Sequence, residues 1–177
     1  GDVYKRQHKK EAEQGVALLV ASQGGDCGAM VRLIDGGVDV NALAGSGAKD
    51  VRGQPVLSTA LYVAAVNKQE AAVRLLLDRG ADPSLATSVR MTPLMVAAHN
   101  DSLPLLRLLI EAKAELNAVD ANGWTAFHYA CDKGNADCAE ALVRAGCDTS
   151  LRDKDGETGR DTPRRTATRR CWSGWRR

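Results

Sequence analysis

Aromatic residues make up only 4% of this 177-residue chain, with one Phe, three Tyr and three Trp. A core cannot be built around large rings here, so its bulk must come from many small, closely packed aliphatic side chains. No apolar run approaches the roughly 18–20 residues a membrane-spanning helix needs, which points to a soluble chain with no membrane contact. The charged opening is not followed by a continuous apolar segment, so no secretory leader is visible. The five cysteines (27, 131, 138, 147 and 171) show no Cys-x-x-Cys spacing and are odd in number. Reduced, mostly helix-buried thiols in an intracellular setting, cytoplasmic or nuclear, are expected rather than a disulfide frame or a zinc site. A Ser–His–Asp set, a phosphate-cradling glycine loop and paired metal ligands are also missing, so no catalysis, no cofactor and no small-molecule substrate are expected. Asp132 and Asp137 beside Cys131 and Cys138 can be drawn as a metal cluster. The two cysteines fall on apolar helical stripes, however, where a thiol behaves as a small hydrophobe. Cys147, in a loop, is the thiol expected to be exposed.

What the chain does have is repetition. The stretch from Asp120 to Asp153 finds itself again when moved by 33 residues: Thr125 falls on Thr92 and then Thr59, and forward on Thr158. Gly123 falls on Gly156, and Leu142/Val143 on Leu109/Ile110 and then Leu76/Leu77. A fixed period in the low thirties marks a solenoid of stacked helix pairs. Helices are expected near 59–67 and 69–79, 92–100 and 102–112, and 125–133 and 135–145. The second helix of each pair carries apolar residues at matched places: Ala72/Val73/Leu76/Leu77, Leu105/Leu106/Leu109/Ile110, and Cys138/Ala139/Leu142/Val143. That spacing makes a stripe along one helical face. One stripe cannot bury itself, so the units must stack, each removing its neighbour's apolar area from water at about 25 cal/mol per Å².

Thr-Pro-Leu-Met-Val-Ala-Ala (92–98) and Thr-Ala-Phe-His-Tyr-Ala-Cys (125–131) stand where an ankyrin repeat carries Thr-Pro-Leu-His-x-Ala-Ala, and Arg-Gly-Ala-Asp-Pro-Ser (79–84) resembles that family's Gly-Ala-Asp-x-Asn loop. The chain resembles an ankyrin-repeat protein from residue 16 to about 161, which implies an all-α solenoid of helix-turn-helix units joined by hairpin loops. The expected organisation is a degenerate N-terminal repeat at 8–41, a Gly-rich insertion at 42–57, repeats at 58–90, 91–123 and 124–156, and the start of a truncated fifth at 157–161. The insertion follows from Leu33/Ile34, which precede Leu76/Leu77 by 43 residues rather than 33. Its glycines predict a mobile, projecting loop.

Thr59, Thr92, Thr125 and Thr158 suit helix N-caps. Gly37, Gly80 and Gly146 suit the left-handed residue that ends a helix, a place taken by Lys113 in the third repeat. Arg90 stands where the other hairpins have Gly123 and Gly156, which puts a tight turn there in question. The resemblance implies that His128 bridges neighbouring repeats. It also implies non-catalytic capture of another protein on a concave surface of hairpin tips and first-helix ends. Carried onto this chain, that surface comprises Val89, Met91, Asn122, Trp124 and Lys154 at the tips, and Asn67, His99, Asn100, Asp132 and Lys133 at the helix ends. Trp124 is the leading candidate, because large aromatics dominate interface energetics; the competing role is packing against a neighbouring hairpin.

Two stretches stand apart. Residues 1–7 resemble a translated sequencing adaptor and are set aside as a processing scar. Residues 162–177 hold six Arg and no acid, leaving 18 basic against 22 acidic residues, a net charge of −4, elsewhere. Arg with Trp172 and Trp175 would suit a nucleic-acid arm. One nucleotide earlier, however, Cys171-Trp172 reads as a codon for Leu and the stretch becomes a repeat-like helix pair, so 162–177 is read as frame-shifted or disordered and nucleic acid as an unlikely partner. A further reading makes the repeats a recruiting or regulatory arm of a larger multidomain enzyme.

Overall fold

A computed structural model of the chain describes residues 2–161. The order of elements is α1 (Asp2–Gly24), α2 (Cys27–Asp35), β1 (Ala44–Lys49), β2 (Pro55–Ser58), α3 (Ala60–Val66), α4 (Glu70–Asp78), α5 (Pro93–His99), α6 (Leu103–Glu111), α7 (Ala126–Lys133) and α8 (Ala136–Arg144). The first helices α1, α3, α5 and α7 stand side by side in chain order, and α2, α4, α6 and α8 form a second row behind them. The helices lie in line instead of around one centre.

Local chemistry sets the helix boundaries. Thr59, Thr92 and Thr125 have extended backbones, and their hydroxyls accept the amides of Tyr62, Met95 and His128 at 3.2, 3.3 and 3.4 Å. These bonds satisfy donors that a helix start otherwise leaves orphaned. At the far end of the second helices, Gly80 and Gly146 take φ of 85° and 92°, and Lys113 adopts the same left-handed turn at 66°. The amides that follow, from Ala81, Ala114 and Cys147, then reach back to the carbonyls of Leu76, Leu109 and Leu142.

The core runs along the stack. Ala64, Ala65, Ala97, Ala98 and Ala130 are fully buried where first helices meet, and Val73, Leu76, Leu106, Leu109, Cys138 and Leu142 fill the space behind them. The fourth residue of each stripe (Leu77, Ile110, Val143) is only half-buried. In α2, Met30 is buried while Ala29, Leu33 and Ile34 are half-buried, and Val20 of α1 is 62% exposed, because no described neighbour covers the outer side of this first pair. Between repeats, Asp82, Glu115 and Asp148 each donate a backbone amide to the preceding loop, at Asn41 Oδ1, Ser84 Oγ and Asn117 Oδ1, all 2.8 Å.

Three expectations change. Helix α1 begins at Asp2, so residues 2–7, left out of the fold in the sequence reading, are helical, which leaves their reading as a processing scar untouched. The expected mobile loop at 42–57 is an antiparallel hairpin, so the fold is helical with one small two-stranded sheet. Ala44 pairs with Ser58, Gly45 with Leu57 and Lys49 with Pro55, with a bulge between Gly45 and Lys49. Asp50 closes its turn by accepting the amides of Arg52 and Gln54 on Oδ1 at 2.9 and 2.8 Å, so the glycine-rich stretch is held by local bonds at its tip and by the buried Ala44 and Val56 at its base. Asp50 plays the part of Thr87, Asp120 and Asp153 in the later fingers. Val38 to Asp50 spans twelve positions where Ala114 to Asp120 spans six, and Asp50 to Thr59 spans nine where Asp120 to Thr125 spans five. Thus the ten inserted residues lengthen both arms of an ordinary finger. Third, Thr158 precedes no described helix; its hydroxyl donates to Asp161 Oδ2 at 2.8 Å. The Arg-rich stretch 162–177, on which the frame-shift and nucleic-acid readings rest, lies outside the described residues.

Candidate functional site

The fingers are held by two repeating devices. Each finger tip closes on one side chain: Asp120 Oδ1 accepts the amides of Asn122 and Trp124 at 2.7 and 2.8 Å, and Asp153 Oδ1 those of Asp155 and Glu157, both at 2.9 Å. In the finger before, Thr87 Oγ1 accepts Met91 N at 3.1 Å, and Arg90 takes φ 64°, so the turn in question forms without glycine. Gly123 cannot be replaced so freely: a Cβ there would come within 3.1 Å of the Asp153 backbone in the next finger. Neighbouring fingers are also bonded directly, Lys154 N to Asn122 O at 3.0 Å and Ser88 N to Leu57 O at 2.9 Å.

On this frame sits a cluster of rings. Trp124, half-buried, donates its indole N–H to Asp153 Oδ2 at 3.0 Å across the repeat boundary. Tyr129, four residues after the capping Thr125, donates its hydroxyl to Asp120 Oδ2 at 2.8 Å and lies 3.3 Å from Met91 Sδ. The Tyr129 ring meets Trp124 edge-on at 5.1 Å and His99 edge-on at 5.8 Å, and Trp124 stacks on His128 at 6.3 Å. Such geometries add about 0.5–1.5 kcal/mol per pair beyond area burial.

His128 itself is buried, with Nδ1 against Thr125 N and Oγ1 at 3.2 and 2.9 Å and Nε2 against the Glu157 carbonyl at 3.3 Å, an inter-repeat bridge. Burial holds its pKa below the ordinary imidazole value, opposed by that carbonyl and by the charges of Asp153 and Asp120. Burial pushes the Tyr129 phenol up, and the bond to Asp120 adds to it. For Asp153, burial alone would raise the carboxyl, but the amides of Glu157 and Asp155 and the Trp124 indole outweigh it and hold it low.

The structure therefore brings Trp124, Met91 and His99 together, with Tyr129 as the hub and Asp132 one turn further along α7. The remaining candidates lie outside this ring cluster. Asn67 spends its amide on Val63 O at 2.8 Å, and Asn100 on Val66 O at 3.4 Å in the preceding repeat. Asp132 pairs with Lys133 at 3.5 Å. Val89 is half-buried in its turn, and Asn122 and Lys154 are exposed at the tips. Tyr129, Asp120 and Asp153 were not singled out from sequence, although the 33-residue spacing of the two aspartates was there to be read. Cys147 also departs from expectation: it is half-buried against the core, and burial, then Asp148, pushes its thiol up to about 11. Cys138 is pushed up to about 12 by burial and by Asp101. Among the described residues no group of three or more His, Cys, Asp or Glu is placed to hold a metal, and no helix is long and apolar enough to cross a membrane.

Stacked helix pairs with a finger between each define a repeat protein of the helix-turn-helix solenoid class. The family model of ankyrin repeats, in three copies, matches residues 61–153, over half of the chain, and the chain belongs to the ankyrin-repeat family. It is 48% identical over 42 residues to an ankyrin repeat-containing protein of Schizosaccharomyces pombe, covering 24% of this chain and 20% of that protein. It is 27% identical over 159 residues to the mitochondrial disaggregase of Bos taurus, covering 88% of this chain and 22% of that one. The chain thus spans about a fifth of the length of these curated relatives. Ankyrin repeats generally mediate protein–protein interaction and are typically non-catalytic.

Proposed function

We propose that this chain is a non-catalytic, intracellular binding module that captures another protein in the groove between its finger tips and first helices. The working units are 8–41, 58–90, 91–123 and 124–156, with 157–161 opening a fifth. The observation that carries the reading is the half-exposed ring cluster of Trp124, Tyr129, His99 and Met91. Large rings left part-exposed at a groove are unusual in a chain with only 4% aromatics, and rings of this kind anchor interfaces. Trp124 is fixed by Asp153 before any partner arrives, so little ordering entropy is lost on binding. Around it, Val89, Asn122, Lys154, Asn67, Asn100, Asp132 and Lys133 form the rim.

The test is quantitative capture with the full chain as bait. Trp124→Ala should weaken partner affinity by about 2 kcal/mol or more while far-UV circular dichroism keeps its helical signal. Equal affinity of the variant for every captured protein refutes the reading. A second reading, a recruiting arm within a larger protein, is favoured by the match of 88% of this chain to only 22% of a mitochondrial disaggregase. A transcript whose open frame carries the repeats and no further domain would rule it out.

A further inference from the structure

We infer that the Trp124–Tyr129 groove is a cation site, which takes a lysine or arginine side chain from an extended segment of the partner; the inference rests on the groove reading above. Both rings point their polar ends at carboxylates: the Trp124 indole N–H at Asp153 Oδ2, 3.0 Å, and the Tyr129 hydroxyl at Asp120 Oδ2, 2.8 Å. A proton donated to an anion pushes electron density back into the ring and deepens the negative face that attracts cations. The two carboxylates are themselves 8% and 5% exposed, and each is held by two tip amides, so their charge is fixed at the polar edges of the rings.

Further negative charge stands on the same side. Asp132 lies one helical turn beyond Tyr129, and its field reaches the phenol. Glu157 holds the finger position equivalent to Trp124 one repeat on, and its Oε2 is buried with no hydrogen-bond partner among the described residues. Against these stand Lys133, 3.5 Å from Asp132, Lys154 on the finger tip next to Asp153, Arg90 out on its own tip, and the exposed His99, neutral at pH 7, while Asp155 adds a further acid to the same tip as Lys154. Carboxylates outnumber cations around the rings. An acidic segment would meet repulsion there, and a wholly apolar one would leave that field unanswered. A guanidinium or ammonium meets both the ring faces and the charge.

The test uses the isotope-labelled full chain and two capped peptides, Gly-Ser-Ala-Arg-Ala-Ser-Gly and the same peptide with citrulline, which keeps the shape of arginine without its charge. The Trp124 indole resonance, assigned by its loss in Trp124→Phe, is followed through each titration. The arginine peptide should move it with an affinity about tenfold tighter than the citrulline peptide. Tyr129→Leu should abolish that difference; Tyr129→Phe and Asp132→Asn, milder changes that keep the packing, should each narrow it. Equal affinities for the two peptides, or no movement of the resonance with arginine peptide at about 10 mM, the weak end of recognition, overturns the cation assignment. Either result leaves groove capture standing if Trp124→Ala still weakens the partner; loss of that effect sinks the broader reading instead.

Discussion

Replacing Asp153 by alanine probes the link between finger and groove most directly. The carboxylate accepts three donors: the amides of Asp155 and Glu157 at 2.9 Å each, and the Trp124 indole at 3.0 Å. A hydrogen bond to a charged acceptor contributes about 1.5–3 kcal/mol net, less where the freed donor regains water. The Asp155 amide sits on an exposed residue and can be rehydrated, whereas Trp124 and Glu157 are half-buried and lose more. The expected loss is therefore about 2–3 kcal/mol, and at about 2–4 °C per kcal/mol for a chain of this size the thermal midpoint should fall by about 5–10 °C. Asp153→Asn keeps one oxygen for the tip amides but loses the anion facing the indole, and should cost about half as much. Thermal unfolding followed by circular dichroism gives the stability, and the Trp124 indole resonance reports the bond itself. A loss below about 0.5 kcal/mol with the resonance unmoved would show that the carboxylate neither closes the finger nor aims the ring.

Lys113→Gly should stabilise by about 0.5–1 kcal/mol, since a left-handed non-glycine costs about 1–2 kcal/mol and glycine returns part of that as backbone entropy; a lowered midpoint in urea would contradict it. The folded-state pKa of His128 is depressed, so below the ordinary imidazole value near 6.5 the unfolded chain takes up a proton that the folded chain resists. Stability should be full above about pH 6.5 and fall on acidification toward the folded pKa, and His128→Gln should flatten that slope; an unchanged slope in the variant refutes the assignment. With its thiol near 11 instead of 9, Cys147 should react with iodoacetamide at pH 8 about 100-fold more slowly than an unperturbed thiol, and peptide mapping that finds equal rates would overturn its burial.

The stack was legible because its cause is periodic. Thr59, Thr92 and Thr125 cap, Gly80 and Gly146 turn, and the Leu106/Leu109 and Cys138/Leu142 stripes demand neighbours, each at a spacing that survives in one dimension. The ring cluster was legible only in part. Trp124, Met91 and His99 could be nominated from their register, but Tyr129 reads as one more inward residue of a helix until Met91 and His99 of the previous repeat are seen beside it. The elongated finger was misread because its six glycine-and-serine-rich positions carry no side-chain signal. What orders it is Asp50, whose acceptor role depends on backbone amides that only the closed turn brings near.

The chain order of its residues alone therefore settled that helix pairs of one kind recur, where those of the three central repeats begin and end, and that they must pile up, because those are consequences of propensity, capping and an unburied apolar face. Which rings meet, which carboxylates stand behind them, and that ten extra residues make a longer finger instead of a loose loop were decided only in three dimensions. The partners involved, Trp124 with Asp153, Tyr129 with Asp120 and Met91, and Leu57 with Ser88, lie between 9 and 38 residues apart and touch only once neighbouring repeats have stacked.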